Sequence, residues 1–288
     1  MNLVRALRHG IVLGVALALS GCGAVKLAYE DGETFTLFWA ARYISLDHEQ
    51  ETFARNRVRA WFDWHRTTQL PGYARLGAEI QSQVRGPVAL ADIDRLESNV
   101  RAQWHQMVDA ALPALADLAL MLHDDQLVRL EKKFAANDDT YRSDYVEVSP
   151  SQRKKDLYNR ELDRVEYWYG SLSSEQKQLL RKTTDNLPID PVLWLTERQT
   201  REQELVALLH QIIEQKPARE KVVQMLHDYA LRVETSPDPA RRAYIEALDR
   251  SRRQMYVTVA NMATPDQRAH AVSKLQDWID EFTGLSQS

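Results

Sequence analysis

Cys22 is the residue of this chain best suited to covalent chemistry, and it is the only cysteine among 288 residues. It follows Leu19-Ser20-Gly21, which close the apolar run from Gly10 to Leu19. A thiolate there is the nucleophile for whatever group is attached. With one cysteine no disulfide is possible within the chain, so stability has to come from packing. The remaining chemistry-bearing types are dispersed. Beyond His9 the histidines are His48, His65, His105, His123, His210, His227 and His270, and none has a second histidine four residues on to share a helix face and hold a metal. His123-Asp124-Asp125 is the densest group of potential ligands, and it reads as a helix start whose acids complement the dipole. A G-x-S-x-G elbow and a Gly-rich phosphate loop are both missing. No catalytic residue, cofactor or metal is assigned on this reading.

Two clusters are rich in groups that hold ligands. Trp61-Phe62-Asp63-Trp64-His65-Arg66, followed by Leu70-Pro71-Gly72-Tyr73, gathers aromatic faces and bases around one bend. Asp190-Pro191-Val192-Leu193-Trp194-Leu195 with Arg198 does the same at the head of another helix. Trp64, His65, Arg66, Tyr73, Trp194 and Arg198 are therefore candidates for a groove that holds a peptide or an anionic ligand. The competing reading is that the aromatics pack the core while Arg and His tie off helix ends.

These residues sit on helices. Glycine and proline number only ten each, and the apolar spacing is helical throughout. The expectation is an all-α, irregular multi-helix bundle of about nine or ten helices. Asp47 with Gln50, Ser149 with Gln152, Ser173 with Gln176 and Thr264 with Gln267 form capping-box starts. Thr34 to Trp39 predicts a short aromatic helix that either packs on the body or rests at a membrane interface. Ala54, Val58, Trp61, Phe62 and His65 share one face of the next helix, and Pro71-Gly72 should bend or interrupt it. From Leu90 the stripe Ile93, Leu96, Val100, Trp104, Met107, Leu112, Leu115, Leu118 and Leu122 predicts a core-facing helix, with a kink or corner at Pro113. The helix through Leu127, Leu130 and Phe134 is expected to end in Asn137-Asp138-Asp139.

The N-terminus supplies the compartment. Arg5 and Arg8 precede the apolar run, which is too short to span a bilayer and has the parts of a secretory signal. Leu19-Ser20-Gly21-Cys22 closely resembles the lipobox of bacterial lipoprotein precursors. The resemblance implies cleavage after Gly21, lipid on the Cys22 sulfur and acylation, including palmitate, of the new amine. Gly23 at the next position implies sorting to the outer membrane, with the body facing the periplasm. Two or three acyl chains make a stable tether where one does not. The expected organisation is 1–21 signal peptide, 22–45 lipidated tether with the aromatic helix, and 46–288 an all-helical periplasmic domain. Losing Arg5 and Arg8 moves the net charge from −4 to −6, which argues against a general affinity for nucleic acid or anionic lipid.

A family resemblance covers most of the remaining chain. The order of lipobox, aromatic segment, Leu46-Asp47 leading to Gln50, Trp64-His65-Arg66, Leu70-Pro71-Gly72-Tyr73, Leu172 to Gln176, and Asp190-Pro191 before Leu193-Trp194-Leu195 with Arg198 is similar to a family of uncharacterised proteobacterial lipoproteins. That family is a domain of unknown function, so Cys22 alone carries over, as the lipidated residue. Leu172 to Gln176 and Ala263 to Gln267 also resemble the Leu-Thr-x-x-Gln motifs of small periplasmic chaperones of the Spy type. The expected function is a non-catalytic binding or scaffolding module for a protein, peptide or envelope component. A periplasmic hydrolase with converging carboxylates or a His-centred site is the alternative, and a chaperone-like helical protein the lesser one.

Overall fold

Helix starts determine how this chain is laid out. In the computed structural model, which describes Tyr29, residues 31–236 and residues 238–287, the described residues form eleven α-helices and no strand. They are α1 (Gly32–Ala41), α2 (His48–Thr68), α3 (Leu70–Gln83), α4 (Leu90–Leu120), α5 (Asp124–Tyr141), α6 (Pro150–Tyr169), α7 (Ser174–Asp185), α8 (Pro191–Gln215), α9 (Arg219–Glu234), α10 (Pro239–Met262) and α11 (Pro265–Gln287). The signal segment 1–21 and Cys22 lie outside the described residues. The all-α expectation holds, with one helix more than the upper count. Pro71 is the reason: α2 ends at Thr68, and only Gln69 separates it from α3.

The capping glutamines do more than cap. Gln50 Oε1 accepts from its own N-cap amide, Asp47 N–H, at 3.1 Å, and Gln126 Oε1 accepts from His123 N–H at 3.0 Å. The two side chains then face each other across the starts of α2 and α5. Gln126 Nε2 donates to Gln50 Oε1 at 2.6 Å and to the Ser45 carbonyl at 2.6 Å. Gln50 Nε2 donates to Gln126 Oε1 at 3.1 Å and to the Met121 carbonyl at 2.6 Å. Every hydrogen-bonding group of both amides is used, which is what burial to 1% and 3% exposure requires. The pattern recurs between α7 and α11. Gln176 Nε2 reaches Gln267 Oε1 at 2.7 Å and the Met262 carbonyl at 2.9 Å, while Gln267 Nε2 reaches Gln176 Oε1 at 3.1 Å and the Ser171 carbonyl at 2.9 Å.

Three apolar clusters lie around these junctions. The largest unites α4, α5, α8 and α9 through Leu112, Ala116, Leu127, Leu209, Ile212 and Val222. A second joins α6, α7 and α10 through Tyr158, Leu180 and Met255. The third packs α3 on α11 through Val84, Ala271 and Leu275. Gly77 allows the α3–α11 contact to be this close, since a Cβ there would lie 2.9 Å from Ile279 Cγ1.

Three sequence expectations are corrected. The helix at Pro113 has no corner, because α4 runs unbroken to Leu120. The proline is exposed and so is Asp109, whose carbonyl loses its partner to the missing N–H, so water can satisfy it. The α4 stripe is not one core face. Leu112, Ala116 and Ala119 point inward, whereas Val100, Trp104 and Leu115 remain about half exposed. Trp104 and Leu115 stand about three turns apart and so share a different face. Finally, α5 continues through Asn137-Asp138-Asp139 to Tyr141 and passes into a π-helical segment, Arg142–Val146. Asp138 is buried and ion-paired to Arg198 at 2.9 Å, so that turn does not fray.

The crossed amides make a specific prediction. Gln126→Leu strands Gln50 and the Ser45 carbonyl, and should cost about 2–3 kcal/mol in urea unfolding. The double variant Gln50→Leu/Gln126→Leu should lose clearly less than the sum of the two single changes. Strict additivity would show that the two amides do not act as a pair.

Candidate functional site

The outward face of α4 forms one wall of an apolar groove, and α2 forms the other. Trp104, Ala110, Ala114 and Leu115 line it from α4, opposite Phe53, Ala54, Val58, Trp61, Phe62 and Trp64 of α2. Thr36 and Trp39 of α1 border it at one side, and its volume is about 1010 Å³. Small residues make the space. Alanines at 54, 60, 110, 111 and 114 leave room that larger side chains would fill. The α2 face that carries Ala54, Val58, Trp61 and Phe62 is thus the second wall, and of these only Ala54 is buried.

Close packing holds α1 in place. A Cβ on Gly32 would lie 2.6 Å from the Phe62 ring, so only glycine lets the helix start here without displacing that ring. Glu33 pairs with both nitrogens of the Arg59 fork at 3.2 Å. Trp39 is thereby set at the groove, packed on Tyr43 with ring centres 4.6 Å apart. Phe35 and Phe38, both 63% exposed, point away from the body.

One rim of the groove is charged. Arg219, at the first position of α9, clasps Asp117 with Nε to Oδ1 at 2.5 Å and Nη2 to Oδ2 at 3.1 Å. Arg57 approaches the same carboxylate at 3.9 Å while its guanidinium lies 5.0 Å from the Phe53 ring centre. The hydrogen bonds from Arg219 hold the Asp117 carboxyl below its ordinary range. Two guanidinium groups thus face the Asp117 carboxylate, with the Glu220 carboxylate also near Arg219.

Behind the groove lies a half-buried chain of polar aromatics. Trp61 stacks on His65 with ring centres 5.0 Å apart. Tyr73 donates its hydroxyl to Met107 Sδ at 3.1 Å, so it accepts from His65 Nε2–H at 3.2 Å. That tautomer leaves Nδ1 to accept the hydroxyl of Tyr29. Burial pushes the His65 pKa down and those of Tyr29 and Tyr73 up, favouring the neutral form of each.

The six candidate residues do not build one groove. Trp64 lines it. His65 and Tyr73 lie in the aromatic chain behind it, joined to it through Trp61. Arg66 turns to Asp63 at 3.1 Å. Trp194 and Arg198 take no part in the lining, because α8 carries them elsewhere. Asp190 caps α8 by accepting from Val192 and Leu193 N–H, as its place before Pro191 suggests. Arg198 Nε lies 2.9 Å from both Asp138 and Glu202, tying α5 to α8. Trp39, Trp104, Leu115, Arg57 and Arg219 are the groove residues the sequence reading missed. Trp104 and Leu115 belong to the stripe that the sequence predicts to face the core, and their eleven-residue spacing is the signal for a second face.

A model of a family described as a family of unknown function (DUF6279) matches residues 42–233, more than half of the chain. The chain belongs to this family. The match runs from Arg42, just after α1, almost to the end of α9, and so includes both long walls of the groove and the Arg57–Asp117–Arg219 rim. No curated protein and no solved structure matches the chain.

His65 also makes the site's stability depend on pH. Its folded pKa lies below the unfolded value of about 6.5, so its contribution is fully present above that pH. It is lost as pH falls through the lower folded value, because the unfolded chain takes up the proton first. Urea midpoints measured downward from pH 7.5 should fall more steeply for wild type than for His65→Gln. Parallel curves would mean that His65 is not the titrating group.

Proposed function

We propose that this chain is an outer-membrane lipoprotein, anchored through lipid on Cys22, whose periplasmic helical body is a non-catalytic binding module. The groove between α2 and α4 is the observation that carries this reading. Its volume of about 1010 Å³ is at the upper end for ligand sites, and its walls are nearly all apolar. Trp104 and Leu115 remain half exposed on them, an arrangement that marks interaction surfaces. The groove is bordered by α1, which follows the tether expected to carry the lipid, so its occupant would be met close to the membrane. Among the described residues no helix is long and apolar enough to cross a membrane. A proteobacterial source belongs to the same proposal and rests on the resemblance carried by Trp64-His65-Arg66 and by Asp190-Pro191 before Leu193-Trp194-Leu195.

A hydrolase with converging carboxylates is favoured by one observation. Asp138 and Glu202 approach each other, and burial raises the Glu202 pKa, with Arg198 lowering it and Asp138 raising it. Both carboxylates, however, are held by the Arg198 guanidinium. An acid pair locked to one arginine is a bridge between helices rather than a proton donor and acceptor facing substrate. The His–acid pair His105–Glu234, at 2.8 Å, borders a cavity in which Ser98 is the one hydroxyl among the described lining residues. Ser98 lies two turns back on α4, about 10 Å along the axis, and its hydroxyl donates to the Asp94 carbonyl.

Two measurements test the proposal. Labelled palmitate should enter the wild-type chain and be absent from Cys22→Ser, and no incorporation into wild type would remove the anchor. A photocrosslinker placed at Leu115 should trap a ligand or partner in intact cells, and Ala114→Trp, which fills the groove, should abolish the adduct. Adducts unaffected by that filling would mean that binding occurs elsewhere.

A further inference from the structure

We infer that the groove holds the acyl chain of an anionic membrane lipid, with its acidic headgroup at the Arg57–Asp117–Arg219 rim. This names the ligand of the proposed binding module. It rests on that reading only for delivery to the membrane, because the ligand chemistry is argued from the groove itself. The walls are almost all apolar surface and carry no carbonyl-like ladder of partners: their polar groups are Thr36 and scattered indoles, of which Trp61 already donates to the Met107 carbonyl at 3.4 Å. An extended peptide would bring amides that these walls cannot satisfy, and each would carry a desolvation cost. An acyl chain asks for no such partner and gains from every apolar contact.

The rim selects the other end of the molecule. Arg219 is fully engaged by Asp117, but Arg57 reaches that carboxylate only at 3.9 Å and its side chain is 53% exposed. Its guanidinium is held over the Phe53 ring, at the groove, with hydrogen-bonding capacity left over. A phosphate there would complete the fork of Arg57. The source is the bilayer. Between Cys22 and Gly32 the chain spans at most roughly 35 Å, which keeps α1 close to any anchor. The exposed rings of Phe35 and Phe38 on α1 then meet the lipid interface, with Trp39 as the step into the groove.

The test uses the full chain reconstituted in phosphatidylethanolamine vesicles. These carry a trace of either phosphatidylglycerol or phosphatidylcholine with a diazirine at the end of one acyl chain. Photoadducts should map to Trp104 and Leu115, with phosphatidylglycerol ahead by about fivefold, the factor that one exposed charge pair supplies. Ala114→Trp should remove those adducts and leave any on Phe35 and Phe38. Arg57→Glu, at an exposed position that leaves the core intact, should bring the two lipids to equal yield. Adducts confined to Phe35 and Phe38, or equal yields in wild type, would overturn the inference. Groove adducts on a chain that takes up no palmitate would support it while removing the anchor, so the two failures are told apart.

Discussion

The two crossed glutamine pairs are the constraint on which the rest of this structure depends. Each joins the beginnings of two helices far apart in sequence, α2 to α5 and α7 to α11. A helix start leaves backbone N–H groups without partners, and the chain segment before it leaves carbonyls in the same state. A glutamine at the third helical position serves its own start with its oxygen. It serves the neighbouring segment with its nitrogen and meets its counterpart in the middle. The pair therefore replaces two separate caps with one shared network, and a network whose members are all satisfied specifies a single arrangement.

The groove follows from that arrangement. The Gln50–Gln126 pair fixes the start of α2 beside the end of α4, through the Met121 carbonyl. From there α2 runs along the outward face of α4, and the alanines on both helices keep the walls apart at ligand width. On its other face α4 is committed to the cluster with α5, α8 and α9, so Trp104 and Leu115 cannot turn inward. Their exposure is the result of two apolar faces on one helix, of which the core can take only one.

The neutral chain of polar aromatics and the charged rim occupy different sides of this groove. The Tyr29–His65–Tyr73 chain lies behind the α2 wall, where burial favours neutral forms and helps seat Tyr29 on the body. The charged rim lies at the edge, where Asp117 gathers arginines from α2 and α9. A ligand meeting both would be apolar along its length and acidic at one end.

Much of the helical layout was legible by itself. Asp47, Ser149, Ser173 and Asp190 cap the helices their residue types announce, because a short polar side chain before a helix has one dominant use. Spacing also identified Trp64, His65 and Tyr73 as neighbours, since one bend brings them together. Gln126 escaped notice because His123 is not a usual cap, although Leu122-x-x-x-Gln126 repeats Leu46-x-x-x-Gln50. Local pattern determines where helices start and which faces are apolar. It cannot determine which of two apolar faces on α4 is buried, that Arg198 meets Asp138, or that Arg57 and Arg219 share Asp117. Those depend on which helices lie side by side, and that was decided by long-range pairs such as Gln50 with Gln126, which no local spacing reports.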